Sequence, residues 1–136
     1  MKLILMRHAE SEYNAKKIIN SDSKNKNISP LTEKGMKQAE KSAKQLENKK
    51  FEIIFCSEFL RTRQTAMIVN QFHNVKIKID KRLNEVFCGF EGEPSEKFDL
   101  MREKNLDRFN FKINGKESWN DSKVRVGDFL KWLGKQ

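Results

Sequence analysis

The 136-residue sequence has few of the features that mark secreted, membrane-bound or metal-binding proteins. Its two cysteines, Cys56 and Cys88, provide neither a disulfide framework nor the spacing of metal ligands. No apolar run approaches the length of about 18 residues that a membrane span needs. The N-terminal apolar run, residues 3–6, is too short for the core of a secretion signal. These absences predict a soluble, cytoplasmic protein with no membrane contact.

Positive charge, in contrast, is abundant, and the formal net charge is +9. Such an excess favours an anionic partner, which could be a phosphate ester, a nucleic acid or an acidic surface. Many of the lysines lie between Lys34 and Lys50, on the polar side of a helical pattern. Because lysine and glutamate intermix there and no aromatic residues are interleaved, we expect a solvated helix face and no nucleic-acid site.

Strand and helix patterns alternate along the chain, with no linker and no internal repeat, so we expect one domain over residues 1–136. Leu3–Met6 is continuously apolar, which is typical of a central strand covered on both sides. Residues 11–30 are polar and predict a loop. The further predicted elements are a helix over 32–48, a buried strand over 51–56, a helix over 61–72, an alternating edge strand over 75–80 and a helix over 118–133. This order predicts a parallel α/β sheet.

The first candidate site is Arg7-His8-Ala9-Glu10, directly after the first predicted strand. Ligands of open α/β sheets bind beyond the carboxyl ends of the strands, so the position suits chemistry. A neutral histidine can act as a nucleophile, and a neighbouring arginine offers a planar fork for phosphate oxygens. The alternative is a histidine that is merely packed or exposed.

The second candidate segment follows the strand that ends at Cys56 and has the pattern Ser-x-x-x-Arg-x-x-Gln-Thr-Ala, from Ser57 to Ala66. It places Arg61 at the start of a helix, near the same crevice. A cysteine phosphatase loop would need an arginine after five intervening residues, but that position is Thr62. Cys56 is therefore interpreted as a core residue.

A third segment, Leu83 to Gly92, places Glu85 just after the alternating strand, where a carboxylic acid could protonate a leaving group. The alternative is a loop acid that pairs with Arg82. Together the three segments resemble the histidine phosphatase (phosphoglycerate mutase-like) superfamily. Softer matches at residues 31–39 and 115–126 extend the resemblance over residues 3 to about 133.

The resemblance implies a three-layer α/β/α sandwich with a mostly parallel sheet, and phosphoryl transfer without metal or cofactor. His8 would attack phosphorus and form a phosphohistidine, and Glu85 would be the proton donor. Four further residues are expected to bind the phosphate: Arg7, Arg61, Asn14 and Ser57.

The sequence departs from this family at one point, because the second active-site histidine, which follows a further strand, has no counterpart before Gln136. His73 cannot replace it, since no strand precedes it. A missing strand would leave Leu3–Met6 at an open edge, which recruits other chains. We expect a fragment of a longer protein. The alternatives are a homodimer or second chain that covers the edge, or a degraded family member.

The predicted function is a phosphatase that acts on a small-molecule phosphate ester or a phosphoprotein. A mutase is the alternative, but residues 87–114 are short for one, by analogy of fold alone. A second alternative is a regulatory protein that binds phosphate and has lost turnover. Phe98, Phe109 and Phe111 are interpreted either as a lid for the leaving group or as core.

Overall fold

A computed structural model describes all residues, 1–136, and combines a small parallel sheet with five α-helices. Strand β1 (Ile53–Cys56) pairs in parallel with β2 (Lys76–Ile79), with Ile53 opposite Lys76 and Cys56 opposite Ile79. The helices are α1 (Glu12–Ala15), α2 (Glu33–Leu46), α3 (Leu60–Val69), α4 (Ser95–Lys104) and α5 (Trp119–Leu133). Short 3-10 turns cover 23–25, 70–72 and 81–83. The predicted α/β class is confirmed.

Helix α2 forms where the sequence predicts it, because its first turn is capped and one face is made of small residues. The Thr32 hydroxyl accepts a hydrogen bond from the Gly35 amide at 2.9 Å. Ala39 and Ala43 are fully buried, and the helix packs on α3 through this face. Met36, in the first turn of the helix, is 43% exposed.

The prediction of a buried central strand at Leu3–Met6 is wrong for this structure. The segment belongs to no sheet, and Leu5 is 87% exposed. The physical reason is that β1 and β2 pair only with each other, so no neighbouring strand satisfies the backbone of residues 3–6 or covers its side chains. The loop predicted for residues 11–30 needs a smaller correction, because it contains the single-turn helix α1.

Helix α5 lies against β1 and completes the support of the sheet. Ser118 and Asp121 form a capping box at its start. Phe129 is buried and meets Phe55 of β1 edge to face, with ring centroids 5.2 Å apart. None of the helices has the length and apolar composition that a membrane span requires.

Candidate active site

His8 precedes α1 in the chain, on a segment that is hydrogen-bonded to α2 and α3. Its two ring nitrogens have different partners. Nδ1 lies 2.7 Å from the carbonyl oxygen of Ala9, and Nε2 lies 3.2 Å from Nε of Arg61. A carbonyl oxygen can only accept, so Nδ1 carries the proton, and an arginine N–H can only donate, so Nε2 is bare. The ring is therefore held as the tautomer whose free lone pair is on Nε2.

The electrostatics of the site favour a neutral imidazole. Burial lowers the pKa of His8 below its usual 6.5, and the charges of Arg61 and Arg7 lower it further. The hydrogen bond to Ala9 and the charge of Glu85 act in the opposite direction. A neutral ring with one bare nitrogen is the form that a nucleophile requires.

Arg61 is held more tightly than any surface arginine could be, because its side chain is only 5% exposed and three of its nitrogens are bonded. Nη1 donates to the side-chain oxygen of Asn20 at 2.7 Å, and Nη2 donates to the Asn20 backbone oxygen at 3.1 Å. Burial lowers the pKa of Arg61, while Glu85 and Glu91 raise it. The guanidinium is thus a fixed positive charge beside Nε2 of His8.

Glu85 faces the same guanidinium from a more open position. One carboxylate oxygen lies 3.9 Å from Nη2 of Arg61, and the side chain is 52% exposed. Its loop is supported from α5, because Arg125 donates to the backbone oxygens of Arg82 and Glu85 at 2.7 and 3.1 Å. Arg125 also pairs with Glu117, with 2.6 Å between Nε and Oε1. The carboxyl group accepts a hydrogen bond from the Val86 amide at 3.0 Å and is half exposed, so a ligand can reach it while its backbone is held.

The other predicted phosphate ligands lie at different distances from this pair. Asn14 lines the pocket beside Arg61, where its side-chain oxygen accepts from the amide and hydroxyl of Ser11. Ser57 is buried and its hydroxyl is 2.7 Å from that of Thr62, in the turn before α3. Arg7 is exposed and forms no side-chain hydrogen bond or ion pair. Arg61 thus contacts both His8 and Glu85, and Asn14 lines the same pocket as Arg61 and Glu85, whereas His8 and Ser57 are not among the residues that line it.

A pocket of ≈ 220 Å³ opens beside Arg61 and Glu85. Its lining includes the polar residues Asn14 and Asn20 and the apolar residues Ile18, Ile19, Val86, Phe98 and Trp119. Phe98 stacks on Phe111, with ring centroids 6.0 Å apart. Phe109 is 57% exposed. The pocket can therefore hold a phosphate near the arginine and a partly apolar group beyond it.

Two residues at the site were not identified from the sequence. Asn20 lies in the polar stretch that was interpreted as a loop, yet it provides both oxygens that hold Arg61. Glu91 lies within the segment from Leu83 to Gly92, and its Oε1 accepts a hydrogen bond from the Asn20 side-chain amide at 2.9 Å. No spacing rule relates residues 20, 61 and 91, so only the folded chain shows their contact. No group of three or more His, Cys, Asp and Glu side chains is placed to hold a metal ion.

Comparison with known proteins agrees with this geometry. Residues 3–136 match the family model of the histidine phosphatase superfamily (branch 1). The chain belongs to this superfamily. It is 31% identical to fructose-2,6-bisphosphatase TIGAR of Xenopus tropicalis over 137 residues, which cover 96% of the chain and 49% of that protein.

Two further proteins are similar to the chain, one in sequence and one in structure. Adenosylcobalamin/alpha-ribazole phosphatase of Escherichia coli K12 is 32% identical over 76% of the chain and 48% of its own length. The solved structure of Bacillus stearothermophilus YhfR superposes with a TM-score of 0.77 at 27% identity and covers 93% of this chain and 64% of its own. The chain thus spans about half the length of the curated relatives it matches.

Proposed function

We propose that the protein is a phosphomonoester hydrolase that works through a phosphohistidine on His8. The observation that carries this proposal is the contact of the bare Nε2 of His8 with the buried guanidinium of Arg61, 3.2 Å apart. A nucleophilic nitrogen and a fixed cation side by side are what in-line attack on a phosphoryl group requires. The two curated relatives described above are named as phosphatases, which supports the same reaction class.

In the first step, the non-bridging oxygens of a phosphate ester accept hydrogen bonds from the guanidinium of Arg61. Arg61 thereby leaves Nε2 of His8. The Nε2 lone pair forms the N–P bond while the P–O bond to the leaving group breaks. Glu85 gives its proton to the departing alcohol oxygen. In the second step, Glu85 accepts a proton from water, whose oxygen attacks phosphorus. The N–P bond breaks, its electron pair returns to Nε2 of His8, and inorganic phosphate is released. Arg61 and Arg7 balance the charge of the phosphoryl oxygens in both steps.

The pocket supports a small phosphate ester as the substrate, because its apolar side can cover a leaving group of modest size. Sugar phosphates fit this description, and the names of similar proteins include a fructose bisphosphatase. Phosphoprotein substrates, a cytoplasmic location, a single domain and a homodimer or second chain at the open edge stay predictions from the sequence.

The test is hydrolysis of an aryl phosphate by the chain and by the His8→Ala variant, with inorganic phosphate release as the readout. His73→Ala is the matched control, since His73 is the only other histidine. We expect His8→Ala to abolish turnover, His73→Ala to leave it intact and a chelator to have no effect. Turnover that survives His8→Ala would contradict the mechanism. Phosphate binding without any turnover would instead favour the regulatory alternative.

A further inference from the structure

The carboxylate of Glu91 receives four hydrogen bonds from one turn of the chain, residues 20–25. Oε2 accepts from the backbone amides of Ser21 and Asp22, at 2.6 and 2.7 Å. Oε1 accepts from the side-chain amides of Asn20 and Asn25, at 2.9 and 3.4 Å. Asn20 and Ser21 are almost fully buried, at 6% and 3% exposure. A single acidic side chain therefore fixes the turn that contacts Arg61.

Two acceptors receive the side-chain NH2 group of Asn20 and so direct its oxygen towards Arg61: Oε1 of Glu91 at 2.9 Å and the backbone oxygen of Asn25 at 3.0 Å. An ionised carboxylate can only accept, so the NH2 end of Asn20 must point to Glu91. The oxygen end then points the opposite way and accepts from Nη1 of Arg61 at 2.7 Å. Arg61 in turn donates from Nε to His8. The bond directions thus form one consistent chain from Glu91 to the nucleophile.

We propose that Glu91 is a positioning residue, which orients the Asn20 amide and thereby fixes Arg61 beside His8. The proposal rests on the proposed function in that Arg61 is taken as the phosphate ligand. Glu91 itself does not line the pocket, so it acts on the substrate through residues that do, chiefly Asn20 and Arg61.

Glutamine at position 91 has nearly the same size but cannot make the same bonds. If the NH2 group of this glutamine faces Asn20, the Asn20 side chain must rotate so that its own oxygen faces position 91. Its NH2 group then faces Arg61, and two donors oppose each other. If the NH2 group of the glutamine instead faces Ser21 and Asp22, it opposes their two backbone N–H donors, and the turn is loosened. The first orientation removes the side-chain oxygen of Asn20 as an acceptor for Arg61, and the second loosens the turn that carries both Asn20 acceptors, so either one weakens the hold on Arg61.

The experiment compares Glu91→Gln with Glu93→Gln in the full chain. Glu93 lies two residues further on, and its side chain pairs only with Lys97, 3.5 Å away at the surface. The readouts are the NMR signal of the Arg61 Nε–H, the titration of His8, and the affinity for inorganic phosphate. For Glu91→Gln we expect a shifted or broadened Arg61 signal, a changed His8 midpoint and roughly tenfold weaker phosphate binding, as one charge-assisted hydrogen bond is lost. Glu93→Gln should match the unsubstituted chain in all three.

A merely structural role predicts a different result. Glu91→Gln would then lower the melting temperature but leave the Arg61 signal and the His8 titration unchanged in the folded protein, and this would overturn the proposal. If the unsubstituted chain binds no phosphate, the proposed function fails. The two NMR readouts still decide whether Glu91 controls Arg61, so the two failures are distinguishable.

Discussion

Two neighbouring stretches at the N-terminus differ sharply in how they are held. Residues 3–7 belong to no sheet and are exposed. Residues 8–11 are anchored: the Ala9 amide donates to the hydroxyl of Thr65 at 3.1 Å, the Glu10 amide donates to Gln38 at 3.0 Å, and Ser11 forms a bridge with Leu31. The anchors come from α2, α3 and the segment before α2. The structure thus secures the candidate nucleophile from the helical side, independently of the apolar run that precedes it.

The largest expected effect concerns the close approach of α2 to this anchored stretch. A Cβ at Gly35 would overlap the carbonyl oxygen of Glu10 and lie 2.9 Å from its carbonyl carbon. Because both partners are backbone, neither can move without breaking the cap of α2. We expect Gly35→Ala to lower the free energy of unfolding by about 3 kcal/mol or more, measured by urea denaturation.

The matched control is Gly127→Ala, in the middle of α5, where a Cβ would meet nothing within 4 Å. This substitution should raise stability by about 0.5–1 kcal/mol, because alanine is the better helix former. If both substitutions have the same effect, residues 8–11 are not anchored on α2 as the structure describes.

The next largest effect distinguishes Arg61 from Arg7, although the sequence predicts that both bind phosphate. Arg61 is 5% exposed and bonded to Asn20 and His8, whereas Arg7 is exposed and bonded to no side chain. Arg61→Ala should cost about 2 kcal/mol of unfolding free energy, since it leaves buried acceptors of Asn20 unpaired. Arg7→Ala should change stability by no more than about 0.5 kcal/mol.

Phosphate affinity provides the complementary measurement, because both variants remove a positive charge close to the nucleophile. If both arginines bind phosphate, isothermal titration should show weaker binding for both variants, with a larger loss for Arg61→Ala. Normal phosphate binding by the Arg7→Ala variant would show that Arg7 is not a phosphate ligand. A stability loss equal in both variants would contradict the difference in burial.

The contrast between residues 3–7 and residues 8–11 also explains how much of the structure could be predicted from the sequence. Helix α2, β1, β2 and α5 were predicted because local signals, such as the Thr32 cap and the alternation over 75–80, determine them. The strand predicted at residues 3–6 does not form, because an apolar run becomes a strand only when a neighbouring strand pairs with it. The motifs located His8, Arg61 and Glu85, but Asn20 and Glu91 act through contacts between distant segments, which no local pattern encodes.

The smallest effect is a shift in the titration of His8, which reports on both arginines at once. Burial, and then the charges of Arg61 and Arg7, lower the pKa of His8 below 6.5 in the folded chain. The folded state therefore binds fewer protons than the unfolded state when the pH lies between the lowered pKa and 6.5. Stability should be constant, as far as His8 is concerned, above pH 6.5, and should fall as the pH decreases through 6.5 towards the lowered value.

NMR titration of the His8 ring measures this directly, and the signal is identified by its loss in His8→Ala. The midpoint should lie below 6.5, and it should rise in both Arg61→Ala and Arg7→Ala. The rise should be larger for Arg61→Ala, because this variant also opens the buried face of the imidazole to water and removes the donor on Nε2. Equal shifts in the two variants would show that the exposed Arg7 acts on His8 as strongly as the buried Arg61, and this would contradict the expected advantage of the buried arginine.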